Sequence, residues 1–350
     1  MMHNAMTRRI LLVAAAITCG LLGCDRSGGG NNSTTTSPRH GAASSSSTIT
    51  ICLLPKKKGV PYFTSCARGA EEAAKELGIT LIYDGPTDGS PEKAASMIER
   101  WTLQSVAAIA VSPNDPDVLA PAMKAAKAKG IAVLTWDADG AADARSFMVN
   151  QATSKDIGYA LVDTMVKDLG GDAAEGDVAI VTASLTAANQ NEWITFMKER
   201  LAAHPKLKLV DIKPSNEDQR VAFQATKDLL NAYPNLRGVW GISSVSFPAA
   251  AEAIKQSGKA GQVLVTGLST PNDMKAYVHD GTVKSVILWN TVDLGYLTIH
   301  AANALAKGEL KAGATSIHAG RLGEKKIDGD KILLGDILVF TKENIDQFDF

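Results

Sequence analysis

Short apolar runs rich in β-branched residues alternate along the chain with longer stretches whose apolar side chains recur at helical spacing. The first run, 49–54, ends at Pro55 and is followed by an amphipathic stretch, 64–77, that Gly78 closes as a helix C-terminal residue should. The alternation continues with a strand predicted over 80–83, a helix over 91–104, a strand over 107–111, a helix over 117–129 and a strand over 131–136. Further along it predicts strands over 177–182, 208–212, 238–242 and 262–266, with helices over 190–203, 218–232 and 248–256 between them. Strands alternating with helices of this length form βαβ units, so the fold class is α/β, with parallel sheets covered by helices on both faces. About eleven strands are too many for one doubly wound sheet of about five or six. Two doubly wound parallel-sheet lobes of about six strands each fit better. The rival, a closed (β/α)₈ barrel, holds only about eight strands.

The first fifty residues stand outside this alternation. Arg8 and Arg9 precede an apolar run, 10–22, that stops at Gly23-Cys24. A basic start, a short apolar segment and a small residue before the cut describe an export signal over 1–23. The run is too short for a bilayer span, which needs about 20 residues. Leu21-Leu22-Gly23-Cys24 resembles the lipobox of bacterial lipoproteins, in which the Cys becomes the lipidated first residue. That implies lipidation at Cys24; the alternative is an ordinary signal peptide cut elsewhere, with Cys24 an incidental thiol. Residues 24–47 are dominated by Gly, Asn, Ser and Thr and predict a flexible tether to a domain beginning at residue 48.

Composition narrows the function classes. Hydrophobic residues are 45% and charged residues 21% of the chain, which excludes a disordered or fibrous protein. Lys and Arg number 36 against 37 Asp and Glu, so no global field attracts DNA or RNA. Cleavage before Cys24 removes two arginines and no acidic residue, leaving 34 against 37, a balance suited to an uncharged ligand. Four cysteines are too few for a disulfide scaffold, and no CxxC or HExxH motif suggests a zinc site. Cys52 and Cys66 read as two buried free thiols in preference to a disulfide.

Ligands of open parallel sheets bind at the carboxyl ends of the strands, and the loops there are rich in one chemistry. They hold Lys56 to Phe63, including Tyr62, then Ser112 to Asp117, Trp136-Asp137-Ala138-Asp139 and Asn150-Gln151. The second half adds Asn189-Gln190-Asn191, Ser243-Ser244, Ser269 to Asn272 and Trp289-Asn290. Carboxylates and carboxamides exchange hydrogen bonds with vicinal hydroxyls, and aromatic faces cover the apolar side of a sugar ring. Asn and Asp in loops also cap helices, which is the plainer reading for any single loop. Asp137 and Asp139 lie two apart on an extended segment and so point to opposite sides, one suited to a ligand and one to a structural role. No GxGxxG, GxxxxGK[ST] or GxSxG motif is present, and His204, His279, His300 and His318 lie outside these loops, so neither a cofactor nor catalysis is expected.

Ten ordered segments resemble the type I periplasmic solute-binding proteins of ABC importers, and most closely the branch that binds rhamnose and autoinducer-2. They include Leu53 to Phe63, Tyr83 to Pro86, Leu134 to Asp139, Asn150 to Thr153, Asn189 to Trp193, Thr266 to Asn272, Leu288 to Asn290, Asp293 to Tyr296 and Glu343 to Phe350. The resemblance implies two lobes joined by a three-strand hinge that closes over ligand. One lobe would comprise 48–151 and 288–311, the other 152–287 and 312–350. It implies an exported, membrane-anchored periplasmic monomer that captures a small sugar and delivers it to an ABC permease. Asp137 would accept hydroxyl hydrogen bonds; Lys56, Asn189, Gln190, Ser244 and Asn290 would supply further polar contacts; and Tyr62, Phe63, Trp193 or Trp289 would supply stacking faces. Lys56, Asp137 and Gln190 match positions used by autoinducer-2 binders, but Asn189 replaces an Asp, and Ile242 and Ser244 replace Pro and Ala. Asn189 to Asn191 and Leu288 to Asn290 look like the rhamnose group, so rhamnose or a related deoxyhexose is favoured. The alternatives are an autoinducer-2 importer component and a receptor presenting ligand to a membrane sensor. A secreted sugar-acting enzyme would need a paired acid and base, and a regulator of this fold would carry a helix-turn-helix where the export signal stands.

Overall fold

The alternation resolves into two open sheets, one wholly parallel and the other parallel except for two antiparallel pairs at one edge. The computed structural model describes residues 48–350; the export signal, Cys24 and the tether lie outside the described residues. In chain order the strands are β1 (Thr50–Leu54), β2 (Thr80–Tyr83), β3 (Ala108–Val111), β4 (Ala132–Trp136), β5 (Met148–Asn150), β6 (Gly176–Thr182) and β7 (Leu207–Pro214). They continue with β8 (Leu236–Gly241), β9 (Leu264–Gly267), β10 (Val286–Leu288), β11 (Ser316–His318), β12 (Glu324–Asp328), β13 (Lys331–Leu333) and β14 (Leu338–Phe340). The helices are α1 (Pro61–Leu77), α2 (Pro91–Leu103), α3 (Pro116–Ala128), α4 (Ser154–Asp168), α5 (Ala188–Leu201), α6 (Gln219–Ala232), α7 (Ser246–Gln256), α8 (Pro271–His279) and α9 (Thr291–Ala306). None of the described helices is long and apolar enough to cross a membrane.

The first sheet has the order β11-β12-β13-β5-β4-β3-β1-β2 and the second β7-β6-β8-β9, with β10 paired to β14. In the first sheet β1 to β5 are parallel and the edge pairs β11–β12 and β12–β13 antiparallel, and the second is parallel throughout. Both sheets share one logic: the chain starts in the middle, steps outward, then reverses across the first strand. The order therefore switches direction between β1 and β3 in one lobe and between β6 and β8 in the other, and such switch points open a crevice at the strands' carboxyl ends. The central strands carry almost no polar surface, since Ile51 to Leu54, Val133, Leu134, Val178 to Val181 and Val239 are all fully buried. Continuous apolar runs of this kind are what helices on both faces require.

The strand count departs from the expected six per lobe: the described sheets hold eight and four, with the β10–β14 pair apart. The extra strands come from 316–333, whose short polar-rich runs carry no βα alternation. This segment also corrects the expected lobe boundary. The tail 312–350 does not pack wholly with the second lobe, because β13 pairs parallel with β5 through Lys331–Met148, Ile332–Val149 and Leu333–Asn150. Its turn is held by Arg145, whose nearly buried guanidinium grips Asp330 at 2.5 Å and Asp139 at 2.6 Å. Such planar, two-pronged contacts fix geometry as well as charge. The third crossing between sheets therefore falls between Leu333 and Leu338, not near residue 311; the others follow β5 and β10.

Helix α1 starts three residues earlier than the periodicity suggests, because Pro61 supplies a preset first helical residue that needs no amide partner. Tyr62 and Phe63 are thereby fixed in a helical first turn. Cys52 and Cys66 are free and buried. Burial pushes the Cys52 thiol up to about 12, so it behaves as a small apolar side chain.

Candidate functional site

The two switch points open onto one cavity of about 330 Å³. From the first lobe it is lined by the loop after β1 (Lys56, Lys57 and Val60), the first turn of α1 (Tyr62 and Phe63) and Asp137 after β4. The second lobe contributes Asn189, Gln190 and Trp193 of α5, together with Ile242, Ser243 and Ser244 after β8. Leu268, Leu288 and Trp289, after β9 and at the end of β10, complete an apolar wall.

Asp137 is the hub of the polar side. Among the described residues it is one of four non-glycine residues with positive φ, at 63°, a conformation Asp tolerates better than most side chains. Its Oδ1 accepts from the Tyr62 hydroxyl at 2.8 Å, and its Oδ2 from the Ser112 hydroxyl at 2.9 Å. The Lys56 ammonium stands 3.2 Å from Oδ2. A carboxylate has about four acceptor sites, so roughly one stays open to a ligand. Gln151 secures the backbone by donating its Nε2 to the Asp137 carbonyl at 3.2 Å. Burial, reinforced by the Asp137 carboxylate, holds the Tyr62 phenol well above its usual range, so Tyr62 remains a donor. Its oxygen in turn accepts from Trp289 Nε1 at 3.0 Å. An exchange of donors thus runs from α1 through β4 to the end of β10.

Two lysines of the first lobe reach the second. Lys56 Nζ donates to Asn189 Oδ1 at 3.4 Å, and Lys57 Nζ to the Glu217 carbonyl at 3.0 Å. The Gln190 carboxamide oxygen is committed to the end of β6, accepting from Thr182 Oγ1 at 2.5 Å and the Ala183 amide at 2.8 Å, which leaves its Nε2 as the donor. Trp193 and Trp289 meet edge-on with ring centroids 6.2 Å apart, and Tyr62 meets Trp289 at 6.1 Å. Edge-to-face geometry at this range locks the rings.

The structure thus brings nine of the expected binding residues to one cavity wall: Lys56, Tyr62, Phe63, Asp137, Asn189, Gln190, Trp193, Ser244 and Trp289. Asn290 is the correction. Its Oδ1 accepts from the Asp293 amide at 3.1 Å and caps α9, and it does not line the cavity. A carboxamide after a strand fits a cap as well as a ligand, and here the helix start takes it. Asn290→Ala should lower stability by about 1 kcal/mol and leave ligand affinity unchanged, read by thermal melting beside calorimetric titration. Asp139 turns away from the cavity to Arg145 and Thr135. Trp136 is fully buried and packs against Phe63 at 5.7 Å. The sequence reading omitted the loops after β2 and β7, which contribute Asp88 and Glu217. Applying the strand-end rule to every strand would have found both.

Comparison with known proteins places this geometry among relatives. The family described as "Periplasmic binding protein domain" matches residues 51–310. The ribose import binding protein RbsB of Escherichia coli is 24% identical over 262 residues, 74% of this chain and 86% of that protein. An ABC transporter solute-binding protein from Clostridium phytofermentas with bound L-rhamnose is 31% identical with a TM-score of 0.81, covering 86% of this chain and 98% of its own. LsrB from Clostridium saccharobutylicum in complex with AI-2 is 26% identical with a TM-score of 0.82, covering 86% and 100%.

Proposed function

The chain belongs to the periplasmic binding protein domain family, among the sugar-binding proteins of ABC transporters, and from that premise we propose that its own ligand is L-rhamnose or a related deoxyhexose. These relatives bind solutes without transforming them, and the chemistry of the cavity matches that role. The observation that carries the ligand assignment is the pairing, in one small cavity, of a hydroxyl-reading hub with an aliphatic wall. The hub is Asp137 with Lys56, Asn189 and Gln190; the wall is Ile242, Leu268 and Leu288. A deoxyhexose presents hydroxyls and a methyl group together, and burying that methyl contributes about 0.8 kcal/mol. At the small end of the usual range for ligand pockets, the cavity suits one monosaccharide.

In this reading the sugar enters between the lobes, and the Lys56 and Lys57 bridges form as the hinge segments close over it. The closed form then delivers the sugar to an inner-membrane permease. The lipid on Cys24 and the tether 24–47 hold the protein, as a monomer, at the membrane. Autoinducer-2 is the second reading, favoured by the contact between Lys56 and Asp137, the pair that the family resemblance assigns to that ligand.

A thermal-shift panel of L-rhamnose, L-fucose, D-ribose, D-xylose, D-glucose and autoinducer-2 tests the assignment. At about 100 times Kd, a ligand that binds only the folded state adds about 2.7 kcal/mol, so the true ligand should raise the melting temperature by several degrees. The expected order puts L-rhamnose first. A shift with autoinducer-2 alone would overturn the deoxyhexose assignment.

A further inference from the structure

Of the acidic side chains that line the cavity, Asp88, Asp115 and Asp137 come from the first lobe and Glu217 from the second, and none of the roles above uses the Glu217 side chain. Glu217 sits in the turn between β7 and α6, next to Asp218, which caps α6 by accepting from the Arg220 and Val221 amides. Asn216 and Glu217 both have positive φ, 52° and 49°. Two successive non-glycine residues in that region are held against their preference, which surroundings enforce most often at functional positions. In this turn the Glu217 side chain reaches the cavity while its neighbour Asp218 turns to the helix.

The Glu217 carboxylate is poorly supplied with donors. Among the described residues it accepts from the Ser243 hydroxyl at 3.4 Å, where Asp137 has three close donors. Lys57 grips the Glu217 carbonyl, not the carboxylate. Burial raises the Glu217 carboxyl above its usual range, against the pull of Lys56 and Lys57 and with a further push from Asp137. A half-buried carboxylate with unfilled acceptor sites, opening into a cavity, is matched to donors that arrive with a ligand.

We infer that Glu217 reads the ligand from the second lobe, accepting a pair of hydroxyl hydrogen bonds from a neutral polyol. Because Lys57 of the first lobe holds the same residue by its carbonyl, this reading is coupled to closure. The inference rests on the sugar-binding reading above and adds a specificity residue to that site.

The test is calorimetric titration of wild-type protein and Glu217→Gln with L-rhamnose, L-fucose, D-ribose, D-xylose and D-glucose, beside thermal melts without ligand. Glu217→Gln should weaken the best-bound sugar about 10-fold. Its ligand-free melting temperature at pH 7 should equal or exceed that of the wild type. The sign follows from linkage: a carboxyl whose folded pKa is raised binds its proton more tightly when folded, so it costs stability increasingly as pH rises through its unfolded pKa. Gln removes that cost, and the gap closes as pH falls below the usual carboxylate range. Sugars bound equally by both proteins overturn this inference alone. A loss of affinity accompanied by a lowered ligand-free melting temperature assigns Glu217 a structural role and also overturns it. Wild-type protein that binds none of the sugars overturns the inference together with the sugar-binding reading.

Discussion

Asp137→Asn should weaken sugar binding by about 10- to 150-fold, because a hydrogen bond to a charged group is worth about 1.5–3 kcal/mol and each decade of affinity about 1.4 kcal/mol. Asn is the informative replacement. It tolerates the positive φ of 63°, whereas Ala there would add about 1–2 kcal/mol of backbone strain unrelated to ligand. The Asn side chain keeps one acceptor oxygen and substitutes an NH₂ for the other. One of the donors from Tyr62, Ser112 and Lys56 must then face a second donor. Leaving one buried polar group unmatched should lower ligand-free stability by about 1–3 kcal/mol. Calorimetry at a temperature where the variant remains folded separates the two effects. Unchanged affinity for the best-bound sugar would remove Asp137 from the site.

The residues that build this hub show how far a sequence reaches and where it stops. Asp137 was visible as a strand-end carboxylate, and Lys56 and Tyr62 as members of the loop after β1. That they converge was not visible, because Tyr62 and Ser112 stand 75 and 25 residues from Asp137 and meet it only through the parallel order of β1, β3 and β4. Local periodicity of 2 and 3.6 residues survives in a single strand or helix, and it exposed eight of the first nine strands with errors confined to their ends, passing over the three-residue β5. The pairing of β13 with β5 leaves no such trace. It depends on a register between distant segments, fixed in part by Arg145 reaching Asp330 across 185 positions. Asn290 and Glu217 fail in opposite ways. Asn290 offers the same carboxamide to a cap or a sugar, and only the 3.1 Å contact to the Asp293 amide decides. Glu217 is hidden beside Asp218, whose cap signature accounts for the turn without it. Ile242, Leu268 and Leu288 carry no polar atom that would mark them at a strand end, and it is the shape of the cavity that shows that they line it.

Gly295→Ala should be strongly destabilising although it touches no binding residue. Helices α1 and α9 cross at backbone contact: a Cβ on Gly295 would lie 1.8 Å from the Cys66 carbonyl oxygen, and one on Gly69 1.7 Å from that of Val292. Both obstacles are main chain, so no side-chain rotation relieves them and the helices must separate. Ala gains about 1 kcal/mol of helix propensity over Gly, while overpacking typically costs about 1–3 kcal/mol and occasionally more. A methyl driven into a carbonyl belongs at the upper end, so a net loss of about 2 kcal/mol is expected. For domains of 150–250 residues each kcal/mol shifts Tm by about 2–4 °C, so the melt should fall by several degrees. The damage should also reach the ligand. Helix α1 carries Tyr62 in its first turn, α9 begins two residues after Trp289, and the pair is joined by the 3.0 Å Trp289–Tyr62 bond and the 2.5 Å Ser65–Thr291 contact. Moving the helices apart loosens the donor that Tyr62 holds on Asp137, so affinity should fall although residue 295 lies outside the cavity. Gly69→Ala should act in the same direction, and the double variant should lose less than the sum, since one separation of the helices relieves both clashes. An unshifted melt in either single variant would show that the crossing yields freely and that the backbone contact does not hold the site in shape.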